Sequence, residues 1–165
     1  IRSDVLQIAD GGKYALWCSG TATIKARSSR IYGGRNQQQS GAQIELRHCE
    51  VDKFANTGIL IASGSTVLPY IANSIIGANS GQTPINNASA LTIDGSALVN
   101  TVVVKAAVGV TGPILAPLDR DPVTLTPFAW SNLGGVAAGV GVSWDYYGKP
   151  FRAKPAIGAV ELSDF

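Results

Sequence analysis

Short apolar runs, rich in β-branched side chains and closed by Gly, Asn or Ser, recur through the middle of the chain: GILI (58–61), NSII (73–76), ALTI (90–93) and NTVVV (100–104). Runs of this length that alternate or stay apolar between turn residues predict β-strands with a buried inner face. They also return at a rough period. Setting Val51, Ile75 and Val102 in one column gives steps of 24 and 27 residues, and a further step of 27 backwards reaches Ile24. Leu16, Ile44, Val67 and Leu98 form a second column, and Ile31, Ile59, Leu91 and Ile114 a third. Three strands per repeat, repeated about four times, predict an all-β chain. The expected architecture is a right-handed parallel β-helix of about four coils with an irregular C-terminal cap, each coil pairing its backbone with the coils above and below. A rival register near 20 residues, with Ile24 over Ile44, accommodates fewer of the strands.

Asn73 and Asn100 each fall two residues before a column member, with Cys49 and Ala22 at the same offset in the earlier coils. Asn tolerates the left-handed backbone of a sharp bend, and its amide both donates and accepts, so the two are expected to stack. The phrases IANSIIGANSG (71–81) and SALVNTVVV (96–104), with the ending DYYGKPFRAKPAIGAVE (145–161), resemble the right-handed parallel β-helix superfamily of pectate-lyase-like folds. In the ending, Asp145, Gly148, Arg152, Ile157, Gly158, Ala159 and Glu161 match a closing motif of such chains. The superfamily includes polysaccharide lyases, glycoside hydrolases, bacterial surface proteins and phage tailspikes. The resemblance covers roughly residues 13 to 161 and implies a scaffold without selecting among these functions.

Past Leu118 the repeat stops. Pro117, Pro122 and Pro127 come in, followed by Trp130, Trp144, Tyr146, Tyr147 and Phe151. This divides the chain into coils over 1–118 and a closing segment over 119–165 packed on the same domain, its rings laid over the open end of the core. The short strand in DVLQIA (4–9) is expected to be an incoming rung or a cap. The lack of Met and the opening Ile1-Arg2-Ser3 suggest a processed or excised piece of something larger.

Composition narrows the choice of function. Charged residues make up 15% of the 165 and the net charge is +2, too little to recruit nucleic acid or anionic lipid. No apolar run reaches the length of a membrane span. Cys18 and Cys49 lack metal-ligand spacing and are expected to be buried free thiols, with a disulfide between adjacent coils as the alternative, and neither metal nor cofactor is expected. The glycine-rich stretch 134–142 lacks the Lys-Ser/Thr of a phosphate loop and is expected to belong to the cap, and there is no G-x-S-x-G phrase.

The densest chemistry is at Glu45 to Lys53, which holds the only histidine. With Cys49 and Val51 inward, alternation turns His48, Glu50 and Asp52 outward together, and Lys25 is expected to pair with Asp52. Arg47, His48, Glu50 and Asp52 are therefore the catalytic candidates for acid–base work on a polysaccharide. GGRNQQQSGAQ (33–43) reads as a polar loop projecting from a corner, a usual place for binding groups. Lys25, Arg35, Gln37, Gln38, Trp130 and Trp144 are the glycan-binding candidates. The expected function is a structural and glycan-binding part of a larger extracellular or phage-tail protein, possible as a homotrimer. A polysaccharide lyase or glycoside hydrolase is the alternative.

Overall fold

The structure, a computed structural model, describes residues 2–3, 7–8, 13–117, 120–121, 124, 126 and 141–161. Within them there is no helix, and fifteen strands form three parallel sheets. Sheet A contains β1 (Arg2–Ser3), β4 (Thr23–Arg27), β7 (Gln43–Arg47), β10 (Tyr70–Ala72) and β13 (Leu98–Val99). Sheet B contains β2 (Gln7–Ile8), β5 (Arg30–Tyr32), β8 (Glu50–Asp52), β11 (Ile75–Ile76), β14 (Val102–Val103) and β15 (Ile114–Leu115). Sheet C contains β3 (Tyr14–Cys18), β6 (Arg35–Gln38), β9 (Thr57–Ile61) and β12 (Thr83–Asn87). The chain visits A, B and C in turn and starts again, so every strand pairs with those one coil before and after. This is a parallel β-solenoid of about four turns.

Inside the tube the side chains pile into vertical rows. Ala26, Leu46, Ile71 and Leu98 stack on sheet A, Ile31, Val51, Ile76 and Val103 on sheet B, and Ile59 and Ile85 on sheet C. All are buried, Leu46, Val51, Ile59, Ile71, Ile76 and Ile85 completely, and each large aliphatic chain contributes roughly 1.5–3 kcal/mol of transfer free energy.

The rows differ from the expected columns. Ile75 does face Val102, but Val51 lies against Ile76 and Ile31, while Ile24 faces Ile44 on another sheet. Leu16, Ile44 and Leu98 divide between sheets C and A, and Ile31 and Ile114 lie on sheet B whereas Ile59 is on sheet C. Val67 and Leu91 are in no strand. The steps along sheet B are 20, 25 and 27 residues, so a nearly constant period mixes faces in the shorter coils.

What lengthens is confined to two corners. From the second coil on, the corner from A to B always has two residues: Ser28–Ser29, His48–Cys49, Asn73–Ser74 and Asn100–Thr101. The first of each pair has positive φ, 45°, 50°, 49° and 46° in that order. Asn100 Nδ2 donates to Asn73 Oδ1 at 3.0 Å, and Asn73 Nδ2 lies 3.0 Å from His48 Nε2. The expected asparagine stack therefore exists, continued downward by His48 rather than Cys49. The second residues form an inner row that ties the bend: Ser74 Oγ donates to Ala72 O (2.8 Å) and accepts from Cys49 N (3.1 Å), and Thr101 Oγ1 donates to Ile71 O (2.9 Å).

The polar run at 35–38 is strand β6, not a projecting loop. Alternation turns Asn36 and Gln38 into the core, both fully buried. Backbone groups offset much of the cost of burying them: Asn36 Nδ2 donates to Gly58 O (2.9 Å), Gln38 Oε1 accepts from Ile44 N (2.9 Å), and Gln38 Nε2 donates to Val67 O, while Asn36 Oδ1 is buried without a partner among the described residues.

Residues 141–161 lie along the outside of the stack. Ile157 joins Ile75, Val102 and Ala116 in an apolar cluster on the outer face of sheet B, and Ala159 and Val160 cover Tyr32. Gly158 N donates to Asn73 O at 2.8 Å, and its φ of 111° with a would-be Cβ 2.8 Å from Ile75 Cδ1 admits only glycine. The closing motif folds on two buried carboxylates. Asp145 accepts from the N–H groups of Tyr147, Lys149 and Glu161, and Glu161 accepts from those of Arg152 and Ala156. The rings expected over the open end are placed differently where they are described: Phe151 lies on His48, at mid-stack, and Trp144 is 56% exposed. Trp130 and most of the 134–142 glycine-rich stretch lie outside the described residues.

Candidate functional site

Two surfaces carry chemistry. The first is the strip from Glu45 to Asp52. As alternation requires, Cys49 and Val51 point inward and Glu50 and Asp52 outward. Outward is not solvent here, because Arg120 and the closing segment lie on this wall. His48 and Glu50 are fully buried and Asp52 half-buried. This corrects the expectation of an open acidic strip: His48 and Glu50 present no surface to a polysaccharide. Glu50 Oε1 is paired with Arg120 Nη2, which also lies 3.9 Å from Asp52 Oδ2.

Burial raises the Glu50 carboxyl from 4.5 to about 7, against the pull of Arg120 and, more weakly, Arg30, with Asp52 adding to the rise. Burial under Phe151, whose ring centroid is 4.2 Å away, lowers His48 from 6.5 to about 4, opposed by the backbone of Gly158 and Ala156. Lys25 pairs with Glu45 at 3.0 Å rather than with Asp52, because β4 and β7 are neighbours in sheet A. Arg47 Nε is 2.8 Å from the same Glu45 carboxylate, and its guanidinium lies over the Tyr70 ring. Cys18 and Cys49 are free and buried, and burial pushes the Cys49 thiol up to about 12. Among the described residues no group of three or more His, Cys, Asp or Glu side chains is placed to hold a metal ion.

The second surface is the outer face of sheet C, at its N-terminal end. In β3, Leu16 and Cys18 point inward, which turns Trp17 out to 58% exposure. Its ring stacks on Tyr14 with centroids 5.7 Å apart and planes 22° from parallel. Beside this pair runs the outer edge of β6, where Arg35 is opposite Tyr14 and Gln37 opposite Trp17. Gln37 Nε2 reaches Gln39 Oε1 at 3.4 Å. Arg35 and Lys13 flank the Tyr14 ring at 5.2 and 5.4 Å from its centroid. A cavity of about 200 Å³ opens at the adjoining corner, lined by Lys13, Gly34, Arg35, Ala55, Asn56 and Thr57.

Of the glycan-binding candidates, Arg35 and Gln37 fall on this face. Gln38 points into the core, which removes it as a binding group, Lys25 is on sheet A, and Trp144 is exposed on the closing segment, its carbonyl accepting from Ser28 Oγ. Tyr14 and Trp17 were not among the candidates. The signal for Trp17 is the alternation in YALWC, which puts a large ring on the solvent side of a strand.

These features define the chain as a parallel β-solenoid protein with an open aromatic and amide-bearing face. No family model matches it, and no curated protein or solved structure matches it. No helix among the described residues is long and apolar enough to cross a membrane.

Proposed function

We propose that this chain is the structural and glycan-binding part of a larger pectate-lyase-like β-helix protein, extracellular or in a phage tail, as one long chain or a homotrimer. The observation that carries the binding is the Tyr14–Trp17 stack, exposed on a wall of paired strands and bordered by amide and guanidinium groups. Flat rings suit the apolar faces of pyranoses, and neighbouring amides suit their hydroxyls. The solenoid holds them rigidly, so little ordering entropy is lost when a chain of sugars lies across them. The alternative, a polysaccharide lyase or hydrolase using Arg47, His48, Glu50 and Asp52, requires the closing segment to lift away from His48 and Glu50.

Glycan-array retention by the 165-residue chain tests the reading, with Trp17→Ala expected to weaken binding by roughly tenfold while circular dichroism stays unchanged. Retention indifferent to Trp17→Ala argues against the sheet C face. New reducing ends or unsaturated products, lost in Glu50→Gln, favour the enzyme.

A further inference from the structure

Resting on the glycan reading of the sheet C face, we infer that its saccharide carries an anionic substituent, a carboxylate or sulfate, which is held at the corner cavity between Lys13 and Arg35. Both cations lie within 5.4 Å of the centroid of one Tyr14 ring, on adjacent coils whose backbones are joined by Arg35 N donating to Lys13 O at 3.2 Å. Neither has a carboxylate partner among the described residues, unlike Lys25, Arg47 and Arg120, each of which is paired. Two positive charges gathered on one ring with no counter-charge among the described residues repel each other, and an anion between them turns that repulsion into two attractions.

The cavity suits this role. At about 200 Å³ it is smaller than the roughly 300–1,000 Å³ of pockets that enclose a drug-sized ligand, so it takes a substituent or one ring while the rest of the chain stays outside. Asn56 and Thr57 add a side-chain amide and a hydroxyl to its rim. From there the outer row of sheet C continues through Trp17, Gln37, Leu60 and Asn86, a track along which neighbouring sugars can lie. Net charge is only +2, so the preference comes from this local pair rather than from a general basic field.

The test uses the 165-residue chain and three forms of a β-linked glucose hexasaccharide: neutral, C6-carboxylated and C6-sulfated. Titration calorimetry at low salt is expected to show at least one anionic form binding roughly tenfold tighter than the neutral one, the scale of one charge-assisted contact. Added salt should shrink the advantage. Lys13→Gln should remove most of it while leaving neutral binding unchanged, Arg35→Gln should remove most of it and weaken neutral binding as well, and Trp17→Ala should weaken all three forms. The carboxylated and sulfated arms identify the anion. Equal binding of all three forms, lost in Trp17→Ala, overturns the anionic preference and leaves the glycan reading standing. Binding of none overturns both, as does tighter binding of a thymidine oligonucleotide than of any saccharide.

Discussion

The buried pair His48 and Glu50 yields a prediction whose two halves oppose each other. Glu50 titrates near 7 in the fold against 4.5 unfolded. Below pH 4.5 it is protonated in both states and its full contribution is present. Between pH 4.5 and 7 the unfolded chain has released a proton that the folded chain still keeps, so stability falls across this window and levels off once the folded carboxyl also ionises above 7. His48 titrates near 4 in the fold against 6.5. Its contribution is complete above 6.5 and is lost as pH falls through 4. At about 1.36 kcal/mol per pH unit, each displacement is worth on the order of 3 kcal/mol. Between pH 4.5 and 6.5 the slopes are equal and opposite, so these two groups together leave the parent level. Single substitutions unmask them. Glu50→Gln keeps the shape and an acceptor for Arg120, and its stability should rise relative to the parent by about 3 kcal/mol between pH 4.5 and 7. His48→Asn keeps a residue suited to positive φ under Asn73, and its stability should fall relative to the parent by a similar amount between pH 4 and 6.5. Urea unfolding across this range, followed by tryptophan fluorescence, reads both as midpoint changes of roughly 1–3 M. Curves for both variants that run parallel to the parent would refute the reasoning, because water would then reach both side chains beneath the closing segment.

Two further substitutions probe the fold. Asn73→Ala removes the amide between His48 and Asn100 and puts alanine at a φ of 49°, so urea unfolding should show a loss of about 2–4 kcal/mol, with Asn73→Gly recovering only the backbone part. Gln38→Ala strips Ile44 N and Val67 O of their partner inside the core and should cost about 1–3 kcal/mol in the same measurement.

Much of the fold was legible in the sequence, and the misreadings share a cause. GILI, NSII and NTVVV are strands or parts of them, parallel and stacked, because an inner face of a tube demands apolar side chains whatever the coil length. Register was not legible at a fixed period. A coil can lengthen at a corner without changing its strands, so Val51 slipped from Ile76 to Ile75, and Ile24 crossed to the wrong face. Asn36 and Gln38 read as loop because polarity signals solvent unless backbone groups inside are waiting for them. Two adjacent buried residues in one strand, as at Ile75 and Ile76, mean that both faces are covered. That pair announces the second layer formed by Ile157, and with it the covering of Glu50. The binding face is half visible, through Arg35 and Gln37, while Trp17 emerges only once Leu16 and Cys18 are both known to point inward.

The constant two-residue bend has a consequence for how this scaffold can change. From β5 onward the connections between sheets B and C grow from two to four to six residues, and from β6 onward those between C and A grow from four to eight to ten. At Ser28, His48, Asn73 and Asn100 nothing grows, because an inserted residue would displace one rung from the rungs above and below it at once. One edge of the prism thus behaves as a mast to which every storey is fastened. The other two edges are free to accept new length, and novelty in descendants of this chain should accumulate there.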